Sequence, residues 1–427
     1  MRLLVFSMVL AIFSMAKASP VPKGKFQDPF SKQEPPEEKT SPGTFQSDMK
    51  LNSKQRAEME EGMRQQLNGM RLSKRKATAA LKYRWPNATM PFEIYNSSAP
   101  DTIQAAMSHW KNHTCIRFHE RTGEETNFTN FIKGVDGCWS YVGRIGGRQN
   151  ISIGGGCEVF GTIVHEIGHA LGFVHEHARP DRDDYVTVRY ENIKEGRNEQ
   201  FLKFSTSLID THQIPYDYGS VMHYGSRYSS KNGKPTMTAD SPIDQLQMGN
   251  REGLSFADIK LANSVYGCGG FGDACNHVSI TCLHGGYLGL ECTCICPPGY
   301  SGTTCEVVDE DKGCIKEVTD ITGVLESPNY PSSYGNGDKC LWYIKGSEGS
   351  NITLSFETFS IEPDSTCRYD WVQIRTEAPF TNGGIKYCGI NSPGMVNSTG
   401  SKMVVVFVAD DSSSAPGFRA SWVINKP

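Results

Sequence analysis

Three histidines and a glutamate within twelve residues have the spacing of a metal centre. His165 and His169 are four residues apart, so on a helix both imidazoles lie on the same face. Glu166 follows the first histidine directly, and Gly172 allows the chain to leave the helix sharply. That turn can carry His175 back as a third ligand. Three protein ligands leave a fourth position for water, which is typical of a catalytic rather than a structural zinc site.

The chemistry that these residues predict is metal-assisted hydrolysis at a carbonyl group, in a peptide or in an ester. Zinc held by neutral imidazoles lowers the pKa of a bound water from about 16 to about 7 and polarises a carbonyl group. Glu166 can take the proton of the water and deliver it to the leaving amine. Tyr224, about fifty residues further along the chain, can donate a hydrogen bond to the oxyanion. The metal chemistry alone would also allow an ester substrate.

The histidines must be carried by a helix, which we expect to begin near Glu158, directly after a strand at residues 150–153. Residues 101–110 have the apolar spacing of another helix, and Ile116 and Phe118 alternate as in a strand. This mixture predicts an α+β domain, which we place at residues 77–268.

The N-terminal sequence has the features of a secretory signal. A basic start is followed by a short apolar run and by a small-x-small motif that ends at Ala18, which predicts a signal peptide at residues 1–18. No later segment is long and apolar enough to be a transmembrane helix. We therefore expect a secreted, extracellular protein.

Residues 19–76 are expected to be a propeptide. Their first part is polar and proline-rich, whereas residues 52–70 have helical apolar spacing. The basic cluster at residues 71–76 is either a solvated linker or the target of a basic-specific processing protease. Its position ahead of a folded domain favours cleavage, next to Arg75 or Lys76.

The composition agrees with an exported multidomain protein. The chain has 427 residues and a net charge of −4, which gives no argument for a nucleic acid or an anionic membrane as partner. Its fourteen cysteines form an even set, as expected of disulfides in an oxidising compartment. Seven Asn-x-Ser/Thr sequons predict N-glycosylation, at Asn87, Asn96, Asn112, Asn127, Asn150, Asn351 and Asn397.

Two smaller units follow residue 268. Residues 275–305 contain six cysteines, and so small a unit needs disulfides in place of an apolar core. Residues 314–425 alternate apolar and polar positions over several segments, which predicts a β-sandwich.

The run HEIGHALGFVHEHARPDRD at residues 165–183 closely resembles the astacin family of zinc endopeptidases, which are metzincins. Glu176 after the third histidine and the SVMHY turn at residues 220–224 carry the resemblance. It implies a zincin-type α+β catalytic domain in which Met222 forms an apolar floor below the zinc. It further implies that Tyr224 is a fifth zinc ligand at rest and swings away to the oxyanion, and that the mature N-terminal ammonium is buried near Glu176.

Phe45-Gln-Ser47-Asp48 is similar to the FxGD motif of astacin propeptides, with serine in place of glycine. The resemblance implies that Asp48 ligates the zinc in the zymogen and displaces the water. The other interpretation is a surface aspartate in a loop, and the serine departs from a position where glycine serves the backbone geometry. No cysteine precedes Cys115 in the sequence, which excludes a cysteine switch.

The C-terminal half resembles the accessory modules of nematode and other animal astacins, with an EGF-like module at residues 271–306 and a CUB domain at residues 314–425. Arg368–Ile374 and Tyr387-Cys-Gly carry the CUB match. The resemblance implies the pairs Cys115–Cys268, Cys138–Cys157, Cys275–Cys292, Cys282–Cys294, Cys296–Cys305, Cys314–Cys340 and Cys367–Cys388. It also implies a calcium site of Glu362, Asp370 and Asp410, for which three solvated acids are the alternative.

The leading hypothesis is a secreted, zymogen-activated zinc endopeptidase that cleaves extracellular proteins, such as matrix or cuticle components, and is activated by a processing protease. Its EGF-like and CUB modules would target substrate or matrix. The alternative is a catalytically silent extracellular interaction protein. That alternative requires a damaged site, whereas the ligands, the base and the tyrosine are all present.

Overall fold

The structure, a computed structural model, describes residues 44–58, 60, 83–134, 137–205, 208–239, 242–298, 300–308, 314–364, 367, 369–376, 385–410 and 412–426. The expected signal peptide, with Ala18, lies outside the described residues, as do the processing residues Arg75 and Lys76. Of the helix expected at residues 52–70, residues 53–58 are helical and residues 61–70 are not described.

The first large domain is built on a six-stranded sheet in the order β1-β5-β6-β4-β2-β3. Strand β5 is antiparallel to β6, whereas β6, β4, β2 and β3 are parallel to one another. The outermost strand, β1, pairs in parallel with β5 and lies in residues 44–58, which are named the pro-segment below after the propeptide that the sequence predicts. The strands are β1 (Met49–Lys50), β2 (Thr89–Tyr95), β3 (Arg117–Glu120), β4 (Phe128–Ile132), β5 (Cys138–Tyr141) and β6 (Arg148–Ile153).

Helices α1 (Pro100–His113) and α2 (Phe160–Ala170) share one apolar core with this sheet. Trp110 of α1 is 1% exposed and donates its indole N–H to the carbonyl of Val164 at 3.1 Å, which joins the two helices. Helix α2 begins two residues after the expected Glu158, because the Glu158 carboxylate accepts the Gly156 N–H in the preceding turn instead.

The second half of the domain has little regular structure: β7 (Val186–Val188), β8 (Met237–Ala239), α3 (Pro242–Gln247) and α4 (Phe256–Tyr266). Helix α4 begins with a reciprocal capping box of Ser255 and Asp258, and it ends at Gly267, whose φ of +68° is left-handed. Asp258 also accepts the N–H of Val221 at 2.8 Å and the hydroxyl of Ser220 at 2.6 Å. The cap of α4 thereby holds the turn that precedes Met222.

The C-terminal units are all β. Two pairs of short strands form the small cysteine-rich unit, namely β9 (Tyr287–Leu288) with β10 (Cys294–Ile295) and β11 (Tyr300–Ser301) with β12 (Val307–Val308). The last unit is a sandwich of a five-stranded sheet, β13-β15-β20-β17-β18, and a four-stranded sheet, β14-β21-β16-β19. Its strands are β13 (Ile315–Val318), β14 (Thr322–Glu326), β15 (Lys339–Lys345), β16 (Asn351–Ser360), β17 (Trp371–Arg375), β18 (Ile385–Tyr387), β19 (Met395–Asn397), β20 (Lys402–Val408) and β21 (Gly417–Asn425).

Seven disulfides join the same cysteines as the resemblance implies, and no free cysteine occurs among the described residues. The sequon asparagines are exposed except Asn127 and Asn150, which are half-buried. Asn150 lies within β6 and accepts a hydrogen bond from the Asn130 side chain. Among the described residues, no helix has the length and apolar character that crossing a membrane requires.

Candidate zinc centre

The three histidines converge at the end of α2. His165 and His169 lie on one face of the helix, and Gly172, with a φ of +101°, turns the chain so that His175 returns to them. Their Nε2 atoms surround the Asp48 carboxylate of the pro-segment at 3.3, 3.6 and 3.1 Å, respectively. All four side chains are 0% exposed.

The second nitrogen of each ring is tied to an oxygen that can only accept a hydrogen bond. Nδ1 of His165 lies 2.8 Å from the Val221 carbonyl, and Nδ1 of His169 lies 2.8 Å from the Phe173 carbonyl. Nδ1 of His175 lies 3.0 Å from the side-chain oxygen Oε1 of Gln46, in the pro-segment. Each Nδ1 therefore carries the proton, and each neutral ring presents the lone pair of Nε2 to the centre.

Burial favours the neutral form of these rings. It lowers the pKa of His165 to about 3 and that of His175 to about 4, the Asp48 charge opposing the shift in both. The rings are therefore neutral near pH 7, and their Nε2 lone pairs face the Asp48 carboxyl group.

This donor set fits zinc. A tetrahedral zinc ion with bonds of about 2.05 Å spaces its ligand atoms about 3.3 Å apart, and the observed separations of 3.1 to 3.6 Å bracket that value. Within the described part of the chain, His169 Nε2 and Asp48 Oδ1 have no hydrogen-bond partner, although both are buried. A cation between the four groups would satisfy them all.

The other predicted residues lie around this cluster. Glu166 is 0% exposed on α2, beside the first ligand. Met222 is 4% exposed and packs beneath the helix, where a Cβ on Gly168 would come within 2.8 Å of its sulfur. The glycine therefore makes room for the methionine. The ring of Tyr224 lies 4.5 Å from that of His175, centroid to centroid.

The pro-segment forms a tight loop that presents Asp48. Phe45 and Met49 exchange backbone hydrogen bonds across it, and both Gln46 (φ 47°) and Ser47 (φ 67°) are left-handed. A non-glycine residue in this conformation costs about 1–2 kcal/mol. The Ser47 hydroxyl offsets part of that cost by donating to the Gln46 carbonyl at 2.6 Å.

The same loop holds the tyrosine. The Tyr224 hydroxyl donates to the Gln46 carbonyl at 2.6 Å and lies 3.0 Å from the Ser47 hydroxyl. Stacking against His177, at 3.9 Å between ring centroids, fixes the ring from the other side. The Tyr224 hydroxyl is therefore engaged by Gln46 and Ser47.

Glu176 is buried in a group of acids. It accepts hydrogen bonds from Arg179 at 2.8 Å and from the Asp217 N–H at 3.0 Å. Burial nevertheless raises its pKa to about 8, with Arg179 opposing the shift and the charges of Asp217 and Asp258 adding to it. Next to it lies a cavity of about 80 Å³, lined among others by Gly172, Glu176 and Arg179.

Sequence reasoning missed three residues that support the centre. Gln46 contacts His175, and Arg251 donates to the Val221 carbonyl at 2.9 Å, the same oxygen that accepts from His165. Asp258 holds the turn before Met222. Only Asp258 had a local signal, the Ser255-x-x-Asp258 spacing of a capping box.

A second group of possible ligands lies in the β-sandwich. One carboxylate oxygen from each of Glu362, Asp370 and Asp410 lies within 4.8 Å of the others. Burial and neighbouring negative charge raise the pKa values of Glu362 and Asp370. Glu362 Oε2 is buried without a hydrogen-bond partner among the described residues. Asp370 receives a hydrogen bond from Tyr334 at 2.6 Å and one from the Asp410 N–H at 2.7 Å.

Two known families match separate parts of this chain. The family model of the astacin peptidases matches residues 77–267, and the CUB domain model matches residues 314–422. Blastula protease 10 of Paracentrotus lividus is 42% identical over 391 residues, which is 89% of this chain. Zinc metalloproteinase nas-36 of Brugia malayi is 37% identical over 330 residues, or 75% of this chain.

The chain spans 64% and 55% of the lengths of these two relatives. Among solved structures, high choriolytic enzyme 1, a hatching enzyme zinc-protease from Oryzias latipes, is 36% identical. The match covers 46% of this chain and 100% of that chain, with a TM-score of 0.41.

Proposed function

This chain belongs to the astacin family of zinc peptidases, and we propose that it is a secreted zinc endopeptidase that hydrolyses peptide bonds of extracellular proteins. One observation carries the proposal: three Nε2 lone pairs converge at 3.1 to 3.6 Å on one carboxylate, with each ring oriented by an oxygen at its Nδ1. The sequence likeness to proteins named as zinc metalloproteinases supports it.

His165, His169 and His175 would hold the zinc, which supplies the positive field that makes water nucleophilic at neutral pH and polarises the scissile carbonyl. Glu166, beside the first ligand, takes the proton of the attacking water and passes it to the leaving amine. Tyr224 donates a hydrogen bond to the developing oxyanion once its hydroxyl is released from the pro-segment. Met222 keeps an apolar floor below the histidines.

We further propose that the uncleaved chain is a zymogen. Asp48 fills the position that water needs, and β1 covers the edge of β5 beside the site. Cleavage by a processing protease next to Arg75 or Lys76 would release this segment. The new N-terminal ammonium would then enter the cavity at Glu176, whose pKa burial raises to about 8 although Arg179 donates a hydrogen bond to it.

The accessory units would direct the enzyme to its substrate or to matrix or cuticle. Residues 271–306 are proposed to be an EGF-like module, since three disulfides hold this small unit. Lys260 of α4 donates to its Gly285 carbonyl at 2.8 Å, which is one contact between this module and the peptidase domain. In the CUB domain, the cluster of Glu362, Asp370 and Asp410 is proposed to bind calcium, since carboxylate oxygens suit a hard cation.

The experiment is hydrolysis of casein and of a peptide library by the chain after removal of its pro-segment. We expect endoproteolysis that a chelator abolishes and zinc restores, and that Glu166→Ala removes while zinc remains bound. Full activity of Glu166→Ala would show that the general base is wrong. No hydrolysis by a zinc-loaded, trimmed chain would favour the silent interaction protein instead.

A further inference from the structure

The pro-segment makes a second contact with the zinc centre, through a residue other than the aspartate. Gln46 is 2% exposed, and its amide bridges the domain and the third histidine. Its Nε2 donates to the Leu202 carbonyl at 2.8 Å, and its Oε1 lies 3.0 Å from His175 Nδ1. His165 and His169 are held by carbonyls of the peptidase domain itself, whereas His175 depends on a side chain that lies before the proposed cleavage site.

Chemistry fixes the orientation of this amide. The Leu202 carbonyl can only accept, so it must face the NH₂ group of Gln46. The amide oxygen then faces His175, and because this oxygen can only accept, Nδ1 must carry the proton. The lone pair of His175 is thereby directed at the centre, where Nε2 lies 3.1 Å from Asp48.

We propose that Gln46 is a positioning residue, which fixes the tautomer and the ring orientation of His175 and makes the uncleaved chain retain zinc more firmly than the trimmed enzyme does. The inference rests on the proposed function, because it takes the ion to be zinc held by the three histidines. Partners on the outer nitrogen of a ligating histidine typically contribute 10- to 100-fold in metal affinity, about 1.4 to 2.7 kcal/mol. The pro-segment therefore acts on a ligand of the metal as well as on the fourth position.

The contact is separable from the docking of the loop. Phe45 packs edge-on against Phe204 at 5.8 Å between ring centroids, Met49 is 0% exposed, and β1 pairs with β5. The backbone carbonyl of Gln46, not its side chain, accepts from Tyr224. Replacing the Gln46 side chain by leucine thus removes the two amide contacts and leaves the anchors of the loop in place.

Gln55 offers a matched control. It is a second buried glutamine of the same segment, 8% exposed, and it donates to the Val142 carbonyl at 2.7 Å. Its side-chain amide hydrogen-bonds to the Val142 carbonyl and to the Asn52 N–H, and neither partner is a histidine of the cluster. Gln55→Leu therefore reports what is lost when a docking hydrogen bond of the pro-segment disappears.

The test is the rate of zinc release from the uncleaved full chain to a chromophoric chelator. We expect Gln46→Leu to release zinc about 10- to 100-fold faster than wild type, and Gln55→Leu to release it at the wild-type rate. After removal of the pro-segment, the wild-type and Gln46→Leu proteins are chemically identical, so the difference should vanish and both should release zinc faster than the uncleaved wild type.

Each of these results would overturn the inference: unchanged release from Gln46→Leu, equal acceleration in Gln55→Leu, or trimmed wild-type protein that retains zinc as firmly as the uncleaved chain. The same acceleration should appear in an Asp48→Ala background, since the amide reaches His175 without involving the carboxylate; its absence there would also count against the role. A chain that binds no zinc would refute the proposed function itself, and this inference with it.

Discussion

The two candidate ion sites of this chain gather their ligands in opposite ways. In the peptidase domain, neutral imidazoles are held by hydrogen bonds at their outer nitrogens, and each of the four side chains is 0% exposed. In the CUB domain, burial and then the charges of neighbouring carboxyls raise the pKa values of Glu362 and Asp370, and of the three acids only Asp370 is fully buried. Oriented nitrogens favour zinc in a fixed geometry, whereas crowded carboxylates favour a hard cation that tolerates variable geometry.

The sites also differ in where their ligands come from. Asp48 is separated from the histidines by 117 to 127 residues and lies on a segment that precedes the basic cluster at residues 71–76. Removal of that segment would open one zinc position to substrate. Glu362, Asp370 and Asp410 all belong to one sandwich, so no cleavage opens a position there. We therefore expect changes at the first site to affect catalysis and changes at the second to affect stability.

The largest expected effect contrasts two glutamates. If the proposed function holds, Glu166→Ala should lower kcat/KM of the trimmed chain on a short fluorogenic peptide by about 10²- to 10⁴-fold, because no group then takes the proton of the attacking water. The matched variant Glu362→Ala should leave that value unchanged. Zinc content, measured by mass spectrometry, should stay at wild-type level in both. Equal losses of activity in the two variants would break the distinction between a catalytic and a structural site.

Calcium should have the next largest effect. At a calcium concentration 100 times the dissociation constant, the free energy of unfolding of the CUB domain should rise by about 2.7 kcal/mol. Scanning calorimetry of the full chain, with and without calcium, measures the shift of the CUB transition. Asp410→Asn should abolish the shift, and His169→Ala should not alter it.

The pH dependence of that shift has a definite sign. The pKa values of Glu362 and Asp370 are higher in the folded than in the unfolded chain. Folding therefore takes up protons at pH values between the unfolded and the folded pKa of each group. Without calcium, the stability of the sandwich should fall as the pH rises through that interval. Calcium binds the ionised carboxylates, so its stabilising effect should grow over the same interval and disappear on acidification. A shift independent of pH would mean that calcium binds elsewhere.

Local patterns predict what depends on neighbours in sequence. The spacing of His165 and His169 predicts a shared helix face, and the structure places both on one face of α2. The expected α+β fold of the peptidase domain and the expected sandwich are confirmed, because apolar periodicity determines which face of each element is buried. Helix α1 is longer than the 101–110 expected, since Pro100 suits a first helical position and polar residues extend the last turn to His113.

Contacts between residues distant in sequence could not be predicted from local patterns. Gln46 lies 129 residues from His175 and 156 from Leu202, and no periodicity relates them. The expectation that the position of Ser47 needs a glycine-like backbone is correct, but it omits how a serine can adopt that backbone. The backbone there is left-handed, as the glycine of the family motif implies, but a hydrogen bond from the serine hydroxyl to the Gln46 carbonyl stabilises this geometry. That compensation depends on a loop held by non-local anchors.

The smallest expected effect tests whether Asp48 occupies the fourth ligand position of the zinc centre. In the uncleaved chain, Asp48→Ala should strengthen binding of an active-site hydroxamate by at least about tenfold, or about 1.4 kcal/mol, because the carboxylate that faces all three histidines at 3.1 to 3.6 Å is gone. Isothermal titration measures the affinity.

Lys50→Ala is the matched control: Lys50 belongs to the same β1 strand, but its ammonium lies over the Trp139 ring at 3.3 Å, away from the histidines. Equal affinities for wild type and Asp48→Ala would remove Asp48 from the zinc site and leave the edge pairing of β1 with β5 to account for latency. A gain in Lys50→Ala as large as that in Asp48→Ala would point to loosening of the whole segment rather than to loss of a ligand.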